Sequence, residues 1–215
     1  MLKAEDKQQI QAQLQQMVEP VQFKFFTQQL AGTCQFCLET ETLLKEVAEL
    51  SDLLSIDTHN FVNDKEEVEA FGIDKIPATV IMAKEDTGIR FYGIPSGYEF
   101  ASFLQIILAL SKNDSEIDAS VKERLSKIQE PVHLQVFVTP TCPYCTRAAM
   151  TAYQFAMENK HIRADVVEIS EFPHLAQKYE VMGVPKVVIN DSKSFEGALP
   201  EAMFLDHIEE ALKAK

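Results

Sequence analysis

Read for alternation and helical period, the chain spells one order of elements twice. Ile10, Leu14, Met17 and Val18 fall at helical spacing within residues 5–18 and predict a helix that stops before Glu19-Pro20-Val21. Val121, Leu125 and Ile128 do the same within 118–129, ahead of Glu130-Pro131-Val132. Both stripes sit 10, 6 and 3 residues before their proline, so they read as one opening helix in two copies. Gln8, Gln9, Gln11, Gln13, Gln15 and Gln16 are expected on the wet face of the first copy. After each proline comes a β-branched and aromatic run, Val21-Gln22-Phe23-Lys24-Phe25-Phe26 and Val132-His133-Leu134-Gln135-Val136-Phe137-Val138, which predicts a buried strand.

The rest of each half keeps step. Leu43, Leu44, Val47 and Leu50 mark one face of a helix, and Ala148, Ala149, Ala152, Phe155 and Ala156 mark its counterpart over 146–158. Second strands are predicted at 54–57 and 164–169, then short helices at 65–71 and 174–179. Strands follow that open on Ile76-Pro77-Ala78 and Val184-Pro185-Lys186. Each half closes with a hairpin, at 88–92 and 193–196, and an amphipathic helix, at 98–110 and 201–213. The polar stretch 111–116 has linker composition and sets the expected boundary between residues 1–118 and 119–215.

Composition constrains this picture from outside. The 215 residues are 46% hydrophobic without a long apolar run, which predicts a soluble globular protein whose halves of about 100 residues each bury a core. Met1-Leu2-Lys3-Ala4-Glu5-Asp6-Lys7 has no apolar signal region and no segment reads as a membrane span, so a cytoplasmic location is expected, without a membrane partner. A net charge of −13 argues against nucleic acid, because phosphate neutralisation needs a basic surface. The charge is uneven: 9 basic and 20 acidic residues in 1–118 give −11, and 11 and 13 in 119–215 give −2. It is assigned to solvated surface.

All four cysteines lie in two motifs, Cys34-Gln35-Phe36-Cys37 and Cys142-Pro143-Tyr144-Cys145, each where a strand gives way to a helix. Pro143 suits the first helical position, which puts Cys142 at the cap, where unpaired N–H groups and the helix dipole favour an anion. A thiolate is such an anion, and a thiol that titrates near ~8.5 can fall there to roughly 3.5–7.5. Cys145, three residues on, can close a small disulfide ring. The pair could equally be half of a zinc site. Two features favour redox chemistry over metal: each motif is followed by an X-Pro that opens a strand, and Cys34 to Pro77 and Cys142 to Pro185 both span 43 residues. None of the five histidines has a metal-site spacing to a cysteine.

Strand, CxxC, helix, strand, helix, Pro-strand, strand and helix resembles the thioredoxin fold, once in each half. The expected class is therefore α/β, two tandem thioredoxin-like folds, each a mixed sheet flanked by helices. Two such units, each with its own CxxC, resemble the protein disulfide oxidoreductases, or glutaredoxin-like proteins, of archaea and bacteria, over essentially the whole chain. The segments that carry the resemblance are Val136-Phe137-Val138-Thr139-Pro140-Thr141-Cys142-Pro143-Tyr144-Cys145 and Phe91-Tyr92-Gly93-Ile94-Pro95-Ser96-Gly97-Tyr98-Glu99-Phe100. The resemblance implies cis peptides before Pro77 and Pro185, which hold the backbone of Ile76 and Val184 beside the sulfurs, where an extended substrate chain can pair as an added strand. It also implies catalysis by Cys142, Cys145, Cys34 and Cys37 without a bound cofactor, and a flavin-dependent, thioredoxin-reductase-like electron donor.

The first half departs from this pattern. Gln35-Phe36 replaces Pro-Tyr, and residues 27–33 lengthen the approach to Cys34 by three. Neither half has an acid six residues before its first cysteine, where thioredoxin carries a buried Asp; Gln28 and Val136 stand there. Asp57, Glu168 and His59 are conceivable proton acceptors, and each also reads as an ordinary strand-end residue. Pro143-Tyr144 and Gly183-Val184-Pro185 suit a glutathione site, but Glu196-Gly197-Ala198 stands in place of the glycine pair of glutaredoxins, which favours protein dithiols. Three readings follow. The first is a thiol–disulfide oxidoreductase acting on protein cysteines. The second is an electron relay resembling the module of the flavoprotein component of alkyl hydroperoxide reductase, where only one unit keeps its cysteines. The third is a zinc protein using all four.

Overall fold

The computed structural model describes residues 2–28 and 34–213. The expected three-residue lengthening before Cys34 falls largely on 29–33, outside the described residues. The elements are α1 (Ala4–Leu14), β1 (Val21–Thr27), α2 (Cys37–Ala48), β2 (Leu54–Asn60), α3 (Lys65–Ala70), β3 (Ala78–Met82), β4 (Asp86–Tyr92) and α4 (Tyr98–Lys112). They continue as α5 (Ala119–Leu125), β5 (Val132–Val138), α6 (Cys145–Glu158), β6 (Ile162–Glu168), α7 (Pro173–Lys178), β7 (Lys186–Ile189), β8 (Lys193–Glu196) and α8 (Glu201–Lys213). Two compact units result. One comprises residues 1–86, 91–94 and 107–114, and the other 87–90, 95–106 and 115–215.

In the first unit β1 runs parallel to β2, from Val21 opposite Leu54 to Thr27 opposite Asn60, and antiparallel to β3, with Phe26 opposite Ala78. In the second unit β5 runs parallel to β6, from Val132 opposite Ile162 to Val138 opposite Glu168, and antiparallel to β7, with Phe137 opposite Lys186. The hairpin β7–β8 pairs Val187 with Phe195. Each unit is therefore a mixed sheet flanked by helices, the thioredoxin-like fold. In each central strand one face is apolar throughout, Val21, Phe23 and Phe25 in β1 and Val132, Leu134, Val136 and Val138 in β5, while the other turns apolar only toward the cysteine end, at Phe26 and Phe137. Phe23, Phe25 and Phe26 of β1, and Leu134, Val136, Phe137 and Val138 of β5, are all wholly buried.

The repeat holds down to single hydrogen bonds. Val21 N–H donates to Leu53 O and Val132 N–H to His161 O, both at 2.8 Å. Ile73 N–H donates to Val68 O and Val181 N–H to Ala176 O, both at 2.9 Å, closing α3 and α7 in the same way. The residue that takes the left-handed turn there is Gly72 in one unit and Glu180 (φ 50°) in the other. Gly93 N–H donates to Pro77 O at 2.9 Å and Gly197 N–H to Pro185 O at 2.8 Å, so each cis-proline is tied to the strand of its own hairpin.

Several expectations change in detail. All six glutamines of the opening helix are exposed and Ile10, Leu14 and Met17 are buried, but Val18 is exposed. The helix ends at Leu14, so Val18 lies beyond the reach of its period. The stretch 111–116 is helical through Lys112, and its two serines are buried and bonded rather than loose. Ser111 Oγ donates to Glu19 O at 2.6 Å and accepts from Val18 N–H at 2.9 Å, while Ser115 Oγ bonds the Glu158 carboxylate. A buried hydroxyl needs a partner, and composition alone does not reveal that these find one. No helix among the described residues is long and apolar enough to cross a membrane.

Candidate active site

The strand registers put each cysteine motif and its cis-proline at the same end of a sheet. Phe26 faces Ala78 and Phe137 faces Lys186, so the end of β1 or β5 that leads to the cysteines lies beside the end of β3 or β7 that follows the proline. The peptide bonds Ile76–Pro77 and Val184–Pro185 are both cis. Both cysteine pairs are joined as disulfides, with Cα atoms 5.5 Å apart in Cys34–Cys37 and 5.4 Å apart in Cys142–Cys145. The sulfur of Cys142 lies 3.7 Å from the Val184 carbonyl oxygen. Ile76 and Val184 are half-buried, Pro77 and Pro185 buried, and Pro143 and Tyr144 exposed.

Burial divides each pair into an outer and an inner sulfur. Cys145 and Cys37 are buried to 0% and 2% exposure, Cys142 retains 9%, and Cys34 is half-buried. An attacking thiolate has to be reached from outside, while a thiol that only closes the ring need not be.

The helix start differs from the expected one. α6 begins at Cys145 with Tyr144 as its cap residue, so Cys142 is not the cap and Pro143 is not the first helical residue. Cys145 N–H instead donates to Cys142 O at 3.3 Å, closing a turn with Pro143 and Tyr144 (φ −81°, ψ −19°) at its centre. Proline favours the first central position of a type I turn, whose second central residue has near these angles. The proline thus sets a turn one step ahead of the helix. Phe36 (φ −107°, ψ 5°) holds the matching place before Cys37.

Sequence reasoning missed a buried acid. Glu99 is wholly buried at the start of α4, and its position follows from its neighbours. Tyr98 N–H donates to Pro140 O at 2.9 Å, and Thr146 Oγ1 donates to Tyr98 O at 3.1 Å, so the turn 97–98 is clamped on both sides of the CPYC motif. Gly97 (φ +59°) makes the clamp possible, because a Cβ there would strike the Pro140 carbonyl. One Glu99 oxygen accepts from Ser102 Oγ at 3.1 Å, and the other has no hydrogen-bond partner. Burial pushes the carboxyl up to about 7 against a weaker opposing effect of the Ser102 bond. The phenol of Tyr153, two turns along α6 from Cys145, is raised by its own burial and then by the charges of Glu99 and Asp165. The signal lay in Gly97-Tyr98-Glu99, but no spacing ties that segment to a cysteine 43 residues later.

The three acceptors considered from the sequence are engaged elsewhere. Glu168 accepts from the N–H groups of Ser170 and Glu171 at 3.2 and 3.1 Å. Asp57 and His59 form a cluster with Lys24, whose Nζ also meets Glu67 at 2.9 Å. Beside the first pair, Glu41 is buried one helical turn beyond Cys37 and bonds Lys45 Nζ at 2.7 Å. No group of three or more metal-ligating side chains occurs among the described residues.

Comparison with known proteins agrees with this geometry. The thioredoxin domain family matches residues 132–210. A protein disulfide oxidoreductase from Aeropyrum pernix k1 superposes with a TM-score of 0.93 and 30% identity, over 100% of this chain and 95% of that one. The chain belongs to the protein disulfide oxidoreductase family. The same fold, at 23% identity and a TM-score of 0.89, recurs in the NTD_N/C domain of the alkylhydroperoxide reductase AhpF from Enterococcus faecalis, over 97% of this chain and 100% of that domain. The F component of alkyl hydroperoxide reductase from Xanthomonas campestris pv. phaseoli is 25% identical over 93% of this chain and 35% of its own length. The chain thus spans about a third of the length of the curated relatives it matches.

Proposed function

We propose that the chain exchanges disulfides with protein cysteines through two dithiol sites, one in each of the repeats 1–118 and 119–215, in the cytoplasm. The observation that carries the reading is the Cys142 sulfur, 3.7 Å from the carbonyl before a cis-proline, with Cys145 wholly buried behind it. An extended substrate lying along Val184 would bring its own sulfur to Cys142; Ile76 offers the same backbone to the first site. In the reducing direction the Cys142 thiolate attacks a substrate disulfide and forms a mixed disulfide, and the leaving substrate sulfur takes a proton. The Cys145 thiol then attacks the Cys142 sulfur, its proton passes to the Glu99 carboxylate, and the second substrate sulfur leaves. One substrate disulfide is reduced and one enzyme disulfide forms. A carboxyl near 7 suits this transfer, since an acid–base group works best close to the operating pH. A flavin-dependent reductase would return the two electrons.

The Cys142 pair is the main site for protein disulfides, because Pro143 fixes its turn while Gln35 leaves the first one less constrained. The test is turbidity of insulin as dithiothreitol reduces it, with Cys142→Ser and Cys34→Ser compared. Loss of most activity in Cys142→Ser alone is expected. Retention there with loss in Cys34→Ser overturns the assignment.

The similarity to the F component of alkyl hydroperoxide reductase supports a second reading, a relay carrying electrons from a flavin-dependent reductase to a peroxidase. Rapid electron delivery to a peroxidase with little insulin reduction would favour it.

A further inference from the structure

The equal spacing of the two sites lets them be compared residue by residue, and they differ in the loop before the cis-proline. Asp74-Lys75-Ile76-Pro77 stands in one unit where Met182-Gly183-Val184-Pro185 stands in the other. Met182 is 91% exposed, the most exposed large hydrophobic residue described, and Tyr144, two residues after Cys142, is 71% exposed. Gly183 has no positive φ, and a Cβ added to it would meet nothing within 4 Å. Neither backbone conformation nor internal packing asks for a glycine here, and the chain leaves open ground beside the sulfur.

The first site is built in the opposite sense. Lys75 occupies the position of Gly183, with its ammonium 3.8 Å from the centre of the Tyr92 ring and its side chain only 9% exposed. It bonds the Asp74 carboxylate at 2.6 Å, and that carboxylate is 73% exposed. The lysine is folded onto the ring, so what an approaching chain meets is the acid. Phe36, the counterpart of Tyr144, is half-buried.

We propose that the two cysteine pairs select partners of different polarity through the residue three positions before each cis-proline, Met182 favouring disulfides flanked by apolar residues and Asp74 those flanked by basic ones. This rests on the reading of both pairs as sites for protein disulfides. A partner chain running antiparallel or parallel to 182–184 lays the side chains next to its cysteine against Met182, whose unbranched thioether adapts to varied apolar shapes. At the first site the same neighbours meet Asp74, where an exposed carboxylate attracts a cation and repels an anion, an effect that salt screens. The −11 charge carried by residues 1–118 reinforces that preference.

The experiment uses the full chain with one pair at a time disabled, as Cys34→Ser/Cys37→Ser and Cys142→Ser/Cys145→Ser. Each protein is reduced, and the second-order rate is measured against peptides that carry one disulfide flanked by Leu, Lys or Glu. Bis(2-hydroxyethyl) disulfide serves as a substrate with no flanking residues. The second site is expected to prefer Leu over Lys and Glu about fivefold, and Met182→Asp in that background to turn the preference toward Lys. The first site is expected to prefer Lys over Glu about fivefold at low salt, with the ratio shrinking at high salt and lost in Asp74→Met. If Met182→Asp lowers every peptide's rate by one common factor and leaves the Leu-to-Lys ratio unchanged, the proposal is overturned. A pair that reduces bis(2-hydroxyethyl) disulfide but treats all peptides alike also overturns it, while the exchange reading survives. Failure to reduce any disulfide counts against the exchange reading itself.

Discussion

Replacing Glu99 by Gln tests the buried carboxyl through stability as well as chemistry. Held at about 7 rather than its ordinary 4.5, the group favours the protonated form in the folded state. The sign follows from that order. Below pH 4.5 the carboxyl is protonated both folded and unfolded, and nothing is lost; as pH rises toward 7 the unfolded chain releases the proton and the folded one keeps it, so stability falls. At about 1.4 kcal/mol per pH unit the full loss is about 3 kcal/mol, of which about 2.5 kcal/mol falls between pH 5 and pH 8. For a chain of this size that corresponds to roughly 5–10 °C in melting temperature. Thermal unfolding of the oxidised parent and of Glu99→Gln, followed by circular dichroism at pH 5, 6, 7 and 8, isolates the contribution as the difference between the two proteins. The amide cannot ionise, so the variant should gain on the parent by that amount as pH rises. The reduced variant should at the same time resolve its mixed disulfide on the order of 10²-fold more slowly near pH 7, the low end of what a positioned acid–base group supplies. A difference between parent and variant that stays flat from pH 5 to pH 8 would refute the assignment of a raised carboxyl, whatever the rates do.

Gly97→Ala should displace the Pro140 carbonyl and cost about 2 kcal/mol, since both space and a positive φ are against it; chemical denaturation measures the cost, and insulin reduction should fall with it. Asp165 is wholly buried, and although burial alone would raise its carboxyl, the His133 hydrogen bond and the charges of His133 and Arg163 hold it well below the carboxylate range. Asp165→Ala should therefore destabilise by about 3 kcal/mol at pH 7, by leaving its partners unpaired, and the deficit should shrink only as pH drops below about 4, where the unfolded parent takes up a proton that the folded carboxylate still refuses. Glu180→Gly should raise the stability measured by chemical denaturation by about 0.5–1 kcal/mol, because a side chain at φ 50° is replaced by the residue that its counterpart Gly72 already is.

What could be read from the sequence was what chemistry and spacing fix locally. The cysteine pairs, the X-Pro that faces each of them and the order of strands and helices all follow from short-range pattern, and one separation of 43 residues found twice ties them together. What escaped depends on neighbours in space. Glu99 looked like one of many surface acids on an amphipathic helix until the clamp of Tyr98 between Pro140 and Thr146 placed it beside the CPYC turn. His133, Arg163 and Asp165 likewise become an ion-pair cluster only through the register of β5 against β6, which no periodicity announces. The helix start shifted because a proline preset for a helix is equally preset for the turn that precedes one.

Residues 95–106 lie ahead of the boundary expected after residue 118, yet they are built into the compact unit that holds the second cysteine pair. Gly97, Tyr98 and Glu99 therefore serve a motif that a gene cut between residues 118 and 119 would separate from them. A fragment beginning at residue 119 would carry the CPYC pair without the glycine, tyrosine and glutamate that are packed into its own unit.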